Sequence, residues 1–272
     1  MAISGSYTIR KAGHGLGREL ERLRAQALVA WEKEARLLAW FGLQDGMSVL
    51  ELGSGPGFVT EQLLALLPSS RITALEVALV MIEKARQYLG DGFSDRLRFV
   101  EASITDTGLP DNSFDLATAR MLFQHLSDPV DAAREVLRVL RPGGKLVITD
   151  IDDAVWGLTE PDIPEMDLIV EKFGQAQAAR GGNRLIGRQL WRILEAAGFV
   201  DLDVDIVIAH NDALGLEPFM PQFDLRRLSF LVESGALSEQ QVEQIHASRE
   251  VFFAADRPYV MMLLWMACGQ KP

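Results

Sequence analysis

VLELGSGPGF, residues 49 to 58, sets three glycines, Gly53, Gly55 and Gly57, between an apolar run and the start of a helical pattern. Glycine suits such a turn for two reasons. The chain must adopt backbone angles that other residues resist, and any side chain would block a ligand lying on the backbone. The spacing then separates the nucleotide-type readings. A dinucleotide loop wants G-x-G-x-x-G, whereas the sixth position here is Phe58, which opposes a nicotinamide-dependent oxidoreductase. A triphosphate cradle requires a lysine, and none stands in this loop.

Around this loop the grammar is that of βαβ units. MSVLEL, RITALEV, LRFVEA, FDLATAR and GKLVITDI are short apolar runs read as five strands. Between them, TEQLLALL, LVMIEKARQYL and DPVDAAREVLRVL carry helical periodicity, and LPDNS makes a short connection. The last of these helices is well bounded: Ser127 or Asp128 can cap it, Pro129 suits its first turn, and Pro142-Gly143-Gly144 stops it. LIGRQLWRILEAAGF then predicts a helix closing near Gly198, the alternating VDLDVDIVIAH a half-exposed strand, and YVMMLLWMACGQK a final strand. Upstream, ELERLRAQALVAWEKEARLLAWFG keeps apolar residues three or four apart, which predicts one amphipathic helix from about residue 19 to Gly42.

Glu76 ends the second strand, one βα unit beyond the glycine loop. An ionised carboxylate only accepts hydrogen bonds and can take both hydroxyls of a ribose, so this placement points to a nucleoside rather than a bare phosphate.

The glycine loop, Glu76, the FDLATAR strand and the LRPGGKLVI turn together resemble class I S-adenosylmethionine-dependent methyltransferases over roughly residues 45 to 152. The N-terminal GHGLGRELERLRAQA is similar to a bacterial small-molecule subgroup. The resemblance implies an α/β, Rossmann-like, seven-stranded mixed sheet, its last strand antiparallel, with helices on both faces and a helical lid. It implies a cap over residues 1–44, a methyltransferase domain over 45–272, and lid insertions at about 153–184 and 211–257. S-adenosylmethionine would be the cofactor, leaving as S-adenosylhomocysteine. Gly53, Ser54, Gly55 and Gly57 would face its methionine half, with Glu51 supporting the loop, Glu76 on the ribose and Val77 on adenine. Where many relatives end the third strand with Asp, this chain has Ser103, followed by Ile104 as an apolar contact for the purine. Tyr7 would sit near the methionine end beneath the lid.

Methyl transfer from a sulfonium is an in-line displacement, so alignment and exclusion of water dominate. His125, just beyond the fourth strand, is the candidate general base, with a pocket-wall role as the alternative. Arg120 on the same strand end could meet the cofactor carboxylate or a substrate anion, or serve a structural ion pair. Asp150, Asp152 and Asp153 cluster after the fifth strand, but neighbouring residues of a strand point to opposite faces and no partner ligand stands out, so a metal-independent enzyme is expected. Trp156, Phe173, Phe219, Met220 and Phe223 are the apolar candidates for an acceptor pocket.

Composition narrows the partners. The chain has 272 residues, 27 Lys and Arg against 38 Asp and Glu, and a net charge of -11, so its average field repels nucleic acid and anionic membranes. The single Cys268 can form neither an internal disulfide nor a thiolate metal site. With no apolar leader in MAISGSYTIRKAGHG, the expectation is a cytoplasmic monomer or homodimer acting on a small, largely apolar molecule. A non-catalytic nucleoside-binding protein stands as the rival to an enzyme.

Overall fold

The computed structural model describes residues 15–93 and 95–272. Its elements run α1 (Gly15–Leu28), α2 (Trp31–Trp40), β1 (Ser48–Leu52), α3 (Phe58–Leu66), β2 (Arg71–Glu76), α4 (Leu79–Leu89), β3 (Leu97–Glu101) and β4 (Phe114–Arg120). They continue with α5 (Pro129–Val139), β5 (Leu140–Asp150), β6 (Gly157–Glu160), α6 (Met166–Ala178), α7 (Leu190–Ala197), β7 (Val200–His210), α8 (Asn211–Leu214), α9 (Ser229–Glu233), α10 (Glu239–Ala254) and β8 (Tyr259–Gln270). Apolar runs become parallel strands because helices cover both faces of the sheet, leaving no solvated side for polar residues to alternate onto.

β3, β2, β1, β4 and β5 are parallel in that spatial order. β8 runs antiparallel along β5, with Met266 opposite Thr149, and carries β7 on its other edge, where the same Met266 faces Asp205. The sheet therefore has eight strands rather than the expected seven. The addition is β6, four residues that follow β5 along the same edge of β8, with Gly157 paired to Met262. GLTE has no apolar run to advertise it, and its pairing comes from the length of β8.

α5 and α7 pack one face, where Val136, Val139, Leu190 and Leu194 meet Leu50, Ala117 and Ile148. α2 and α3 pack the other, with Leu38, Leu63 and Leu64 on Val49, Ile72 and Val147. Asp128 caps α5 by accepting from the Asp131 amide, and Gly198 closes α7 in a left-handed conformation. The N-terminal helix is corrected to two. At its break, Val29 and Ala30, the Gln26 carbonyl, which Ala30 N–H would use in a continuous helix, accepts from the Arg120 guanidinium at 2.8 Å. No described helix is long and apolar enough to cross a membrane.

Candidate active site

The glycine loop connects β1 to α3, and its three glycines do different work. Gly57, at φ 85°, precedes the first residue of α3, and a Cβ there would sit 3.0 Å from the Ala85 Cβ of α4. Gly55, at φ 54°, would place its Cβ, chain neighbours aside, within 4 Å of no atom of the described residues, so its backbone faces the cleft. The loop is anchored from β2: Gly53 and Ser54 amides donate to the Leu75 carbonyl at 2.8 and 3.0 Å.

Glu76 holds the other side of this turn. Its carboxylate accepts from the Gly55 amide at 3.0 Å and from the Ala78 amide at 2.9 Å, which fixes the side chain and leaves lone pairs on both oxygens. Glu51 points to the opposite side of β1 from Leu50 and Leu52. It is buried, accepts from the Thr60 hydroxyl at 2.6 Å, and is pushed up to about 8 by burial and by Glu76 nearby. A carboxyl at that position joins β1 to α3, which is loop support.

A single cleft of about 1710 Å³ opens over these groups. That exceeds the roughly 300 to 1,000 Å³ of a one-ligand site and leaves room for two molecules together. Gly53, Ser54, Gly55, Glu76, Val77, Ser103 and Ile104 all line it, so the structure brings the two halves of the expected nucleoside site together. Gly57 does not line it, serving instead the packing of α3 on α4. Ser103 spends its hydroxyl on Thr105, at 2.8 Å to the hydroxyl and 3.2 Å to the amide. Asp106, which the sequence reading did not single out, pairs with Ser103 through the backbone and also lines the cleft. An acid five positions past the end of β3 is visible only once the turn is formed. Tyr7 lies outside the described residues.

Whether these groups suit an adenosyl ligand can be tested on one atom. The Ser54 hydroxyl is buried, belongs to a residue that lines the cleft and has no hydrogen-bond partner among the described residues, a deficit that costs about 1 to 3 kcal/mol unless another group meets it. Together with the open backbone at Gly55 and the fixed carboxylate of Glu76, it fits a polar, nucleoside-bearing molecule.

Other assignments are corrected. Arg120 is engaged by Glu34, donating from Nε and a terminal nitrogen at 2.8 Å each, and by the Gln26 carbonyl. It lines the cleft, but its Nε and one terminal nitrogen hold α1 and α2 on the end of β4, which is the structural ion pair expected as the alternative to a cofactor contact. His125 lines the cleft, but burial and the charges of Arg184, Arg22 and Arg180 hold its imidazole down to about 3. A group that is protonated only in strong acid is a weak proton acceptor near neutrality, which weighs against the base role and toward the pocket-wall alternative.

The three aspartates separate as well. Asp150 is buried, accepts from the Gln124 and Ile151 amides, and is pushed up to about 7 by burial. Asp152 pairs with Arg188 at 2.6 Å and Asp153 with Arg184. Among the described residues, no group of three or more His, Cys, Asp or Glu side chains is arranged to hold a metal ion.

Trp156 and Phe173 line the cleft. Phe219 is fully buried in the core, Phe223 stacks on Phe252 with ring centroids 5.4 Å apart, and Met220 is exposed without lining the cleft. The insertion contributes Phe230, Gln222 and Arg227 instead. Proline and 3-10 turns over Glu217–Phe223 defeat helical periodicity, so inward and outward residues could not be sorted from spacing.

Comparison with known proteins bears on the same region. Residues 50–148 match the family described as a methyltransferase domain. An uncharacterised 37.1 kDa protein in transposon TN4556 of Streptomyces fradiae is 33% identical over 80% of this chain and 63% of its own length. The ubiquinone/menaquinone biosynthesis C-methyltransferase of Hahella chejuensis is 34% identical over 40% of this chain and 45% of that protein. The chain thus spans less than two thirds of the curated relatives named here. Among solved structures, the Haemonchus contortus phosphoethanolamine N-methyltransferase 2, in complex with phosphomonomethylethanolamine and S-adenosylhomocysteine, superposes with a TM-score of 0.58 at 19% identity. That alignment covers 89% of this chain and 53% of that one, and at such identity it speaks to the fold.

Proposed function

We propose, on the premise that this chain is a class I methyltransferase whose residues 50–148 carry the family's domain, that it uses S-adenosylmethionine to methylate a small, largely apolar organic acceptor. The observation that carries this reading is the contact between the Gly55 amide and Glu76, at 3.0 Å on the floor of a cleft with room for two ligands. Bound there, the cofactor supplies a methyl group activated by a positively charged sulfur.

The chain's own residues do the rest. Glu76 accepts from ribose hydroxyls, Ser54 and the backbone of Gly53 and Gly55 hold the methionine portion, and Val77 and Ile104 pack on the purine, whose polar edge meets Ser103 and Asp106. Trp156, Phe173 and Phe230 surround the acceptor, while α1 and α2 with the segments 153–184 and 211–257 close over it and exclude water. Orienting two reactants in this way is worth roughly 7 to 11 kcal/mol of barrier. With the His125 imidazole so weakly basic, it gives little help in removing a proton from the acceptor, which favours acceptors that are nucleophilic or ionised without such help.

Calorimetry with S-adenosylhomocysteine tests the site, and formation of S-adenosylhomocysteine from the donor across an acceptor panel tests turnover. Heat of binding without turnover on any acceptor would leave a non-catalytic nucleoside-binding protein. No heat with either donor or product would remove the proposal.

A further inference from the structure

The cleft is polarised along its length. Glu76, Glu101 and Asp106 line it beside the glycine loop, where Glu51 is pushed up to about 8 by burial. The other end gathers four arginines from separate segments: Arg22 on α1, Arg180 and Arg184 after α6, and Arg227 before α9. In a chain of net charge -11, this convergence runs against the average field and has to be built.

Phe173 is its centre. The Arg184 and Arg227 guanidinium carbons lie 5.8 and 5.3 Å from the ring centroid, so two cations share one aromatic side chain. Arg184 is balanced by Asp153, and Arg22 pairs with Glu19 at 2.6 Å. Glu233 also lines the cleft but is exposed and makes no ion pair among the described residues. Arg180 and Arg227 have no carboxylate within ion-pair distance among the described residues.

Arg227 is the more telling of the two. One terminal nitrogen donates to neutral acceptors only, the Gln222 side chain at 2.8 Å and the Gln222 and Pro221 carbonyls at 3.3 and 3.5 Å. Its Nε and second terminal nitrogen make no hydrogen bond among the described residues, and these are the two donors that face an oxyanion in a bidentate fork. Burial and the charges of Arg22 and Arg184 push this guanidinium down to about 9, and the opposing charges of Glu19 and Asp224 only partly offset them.

We propose that the acceptor carries an oxyanion, carboxylate or phosphate, on its apolar body, and that Arg227 grips it beside Phe173, with Arg184, whose fork is held by Asp153, adding only its charge and Arg180 standing at the approach. This rests on the methyltransferase reading above and assigns the class of substrate. The acidic end of the cleft disfavours an anion there, so the two ends orient the acceptor with its charged group away from the nucleoside site.

The test uses the full chain saturated with S-adenosylhomocysteine. If that ligand produces no heat, the nucleoside reading fails before the oxyanion is addressed. With it bound, phenyl phosphate, 3-phenylpropionate and the neutral 3-phenylpropionamide are titrated in turn. At least one anion binds, and the amide binds about tenfold more weakly or worse, the scale of a lost charge-assisted pair. Arg227→Gln weakens that anion by about tenfold while the dissociation constant for S-adenosylhomocysteine stays within about twofold. Arg180→Gln, at an exposed position, weakens it by a smaller factor and serves if circular dichroism shows Arg227→Gln misfolded. Binding by the phosphate alone or the carboxylate alone identifies the group and upholds the proposal. Equal binding of amide and anion, binding by neither anion, or a parallel loss of S-adenosylhomocysteine affinity in Arg227→Gln would overturn it, the last because the arginines would then serve the cofactor's own carboxylate.

Discussion

Arg120 and Glu34 meet through two hydrogen bonds of 2.8 Å, 86 residues apart in sequence, with side chains only 10% and 2% exposed. The same guanidinium takes the Gln26 carbonyl, so one strand-end residue secures both N-terminal helices. Removing one member of a buried pair strands the other, at about 3 to 5 kcal/mol. Arg120→Met is therefore expected to lower the urea midpoint and to speed amide exchange in α1 and α2. Adding Glu34→Leu should recover most of that loss, since no charge is then left buried; a double variant as unstable as the single would show that the pair is not the cause.

Glu76 tests the cofactor end. In Glu76→Gln the amide nitrogen would confront either the Gly55 or the Ala78 amide, donor against donor, where the carboxylate now accepts from both. One charged hydrogen bond is worth about 1.5 to 3 kcal/mol, so affinity for S-adenosylhomocysteine should fall roughly tenfold to a hundredfold. Titration calorimetry reads this directly. Unchanged affinity would mean that the ribose is held elsewhere.

These two residues also show what could be read from the chain. Glu76 was legible because the second strand's apolar run ends on it and the glycine loop lies one βα unit earlier; both signals are local. Arg120 was legible as a strand-end cation but not as a clamp, because its partners belong to a helix pair that periodicity reads as one helix. The arginine end of the cleft was likewise hidden. Arg22, Arg184 and Arg227 come from three segments of unremarkable composition, and only the fold brings them to Phe173. Periodicity finds core faces; it cannot distinguish Phe219 in the core from Phe230 in the cleft wall.

His125 predicts a pH dependence with a definite sign. Its imidazole is held at about 3 in the fold against 6.5 when unfolded, so below about 6.5 the unfolded chain takes up a proton that the native one refuses. The contribution is complete above 6.5 and is lost as pH falls from there toward 3, at up to about 1.4 kcal/mol per unit. Glu51 and Asp150, raised to about 8 and 7, act oppositely, their contributions fading as pH rises through those values. The comparison that isolates His125 is wild type against His125→Asn: their stability difference in urea should move toward the variant on acidification from about pH 7 to about pH 5. The same variant should lose far less of its turnover number than the roughly hundredfold or more that a general base contributes. A larger fall, with an acid limb near 6.5 in wild type, would restore the base role.

Gly55 and Gly57 both hold positive φ, 54° and 85°, yet substitution should damage different properties. An alanine at either pays the left-handed backbone penalty of about 1 to 2 kcal/mol. At Gly57 the added methyl also meets Ala85 at 3.0 Å and Leu89 at 3.2 Å, so α4 must shift and stability should fall further. At Gly55 it meets, apart from its chain neighbours, no atom of the described residues within 4 Å, and Gly55 lines the cleft. Gly55→Ala should thus melt above Gly57→Ala while binding S-adenosylhomocysteine more weakly than its stability would suggest, and Gly55→Asp, adding a carboxylate beside Glu76, should abolish binding in a folded protein. Thermal melts paired with calorimetry separate the two effects. If Gly55→Asp still bound the product with wild-type affinity, the backbone at Gly55 would not be the surface on which the nucleoside lies.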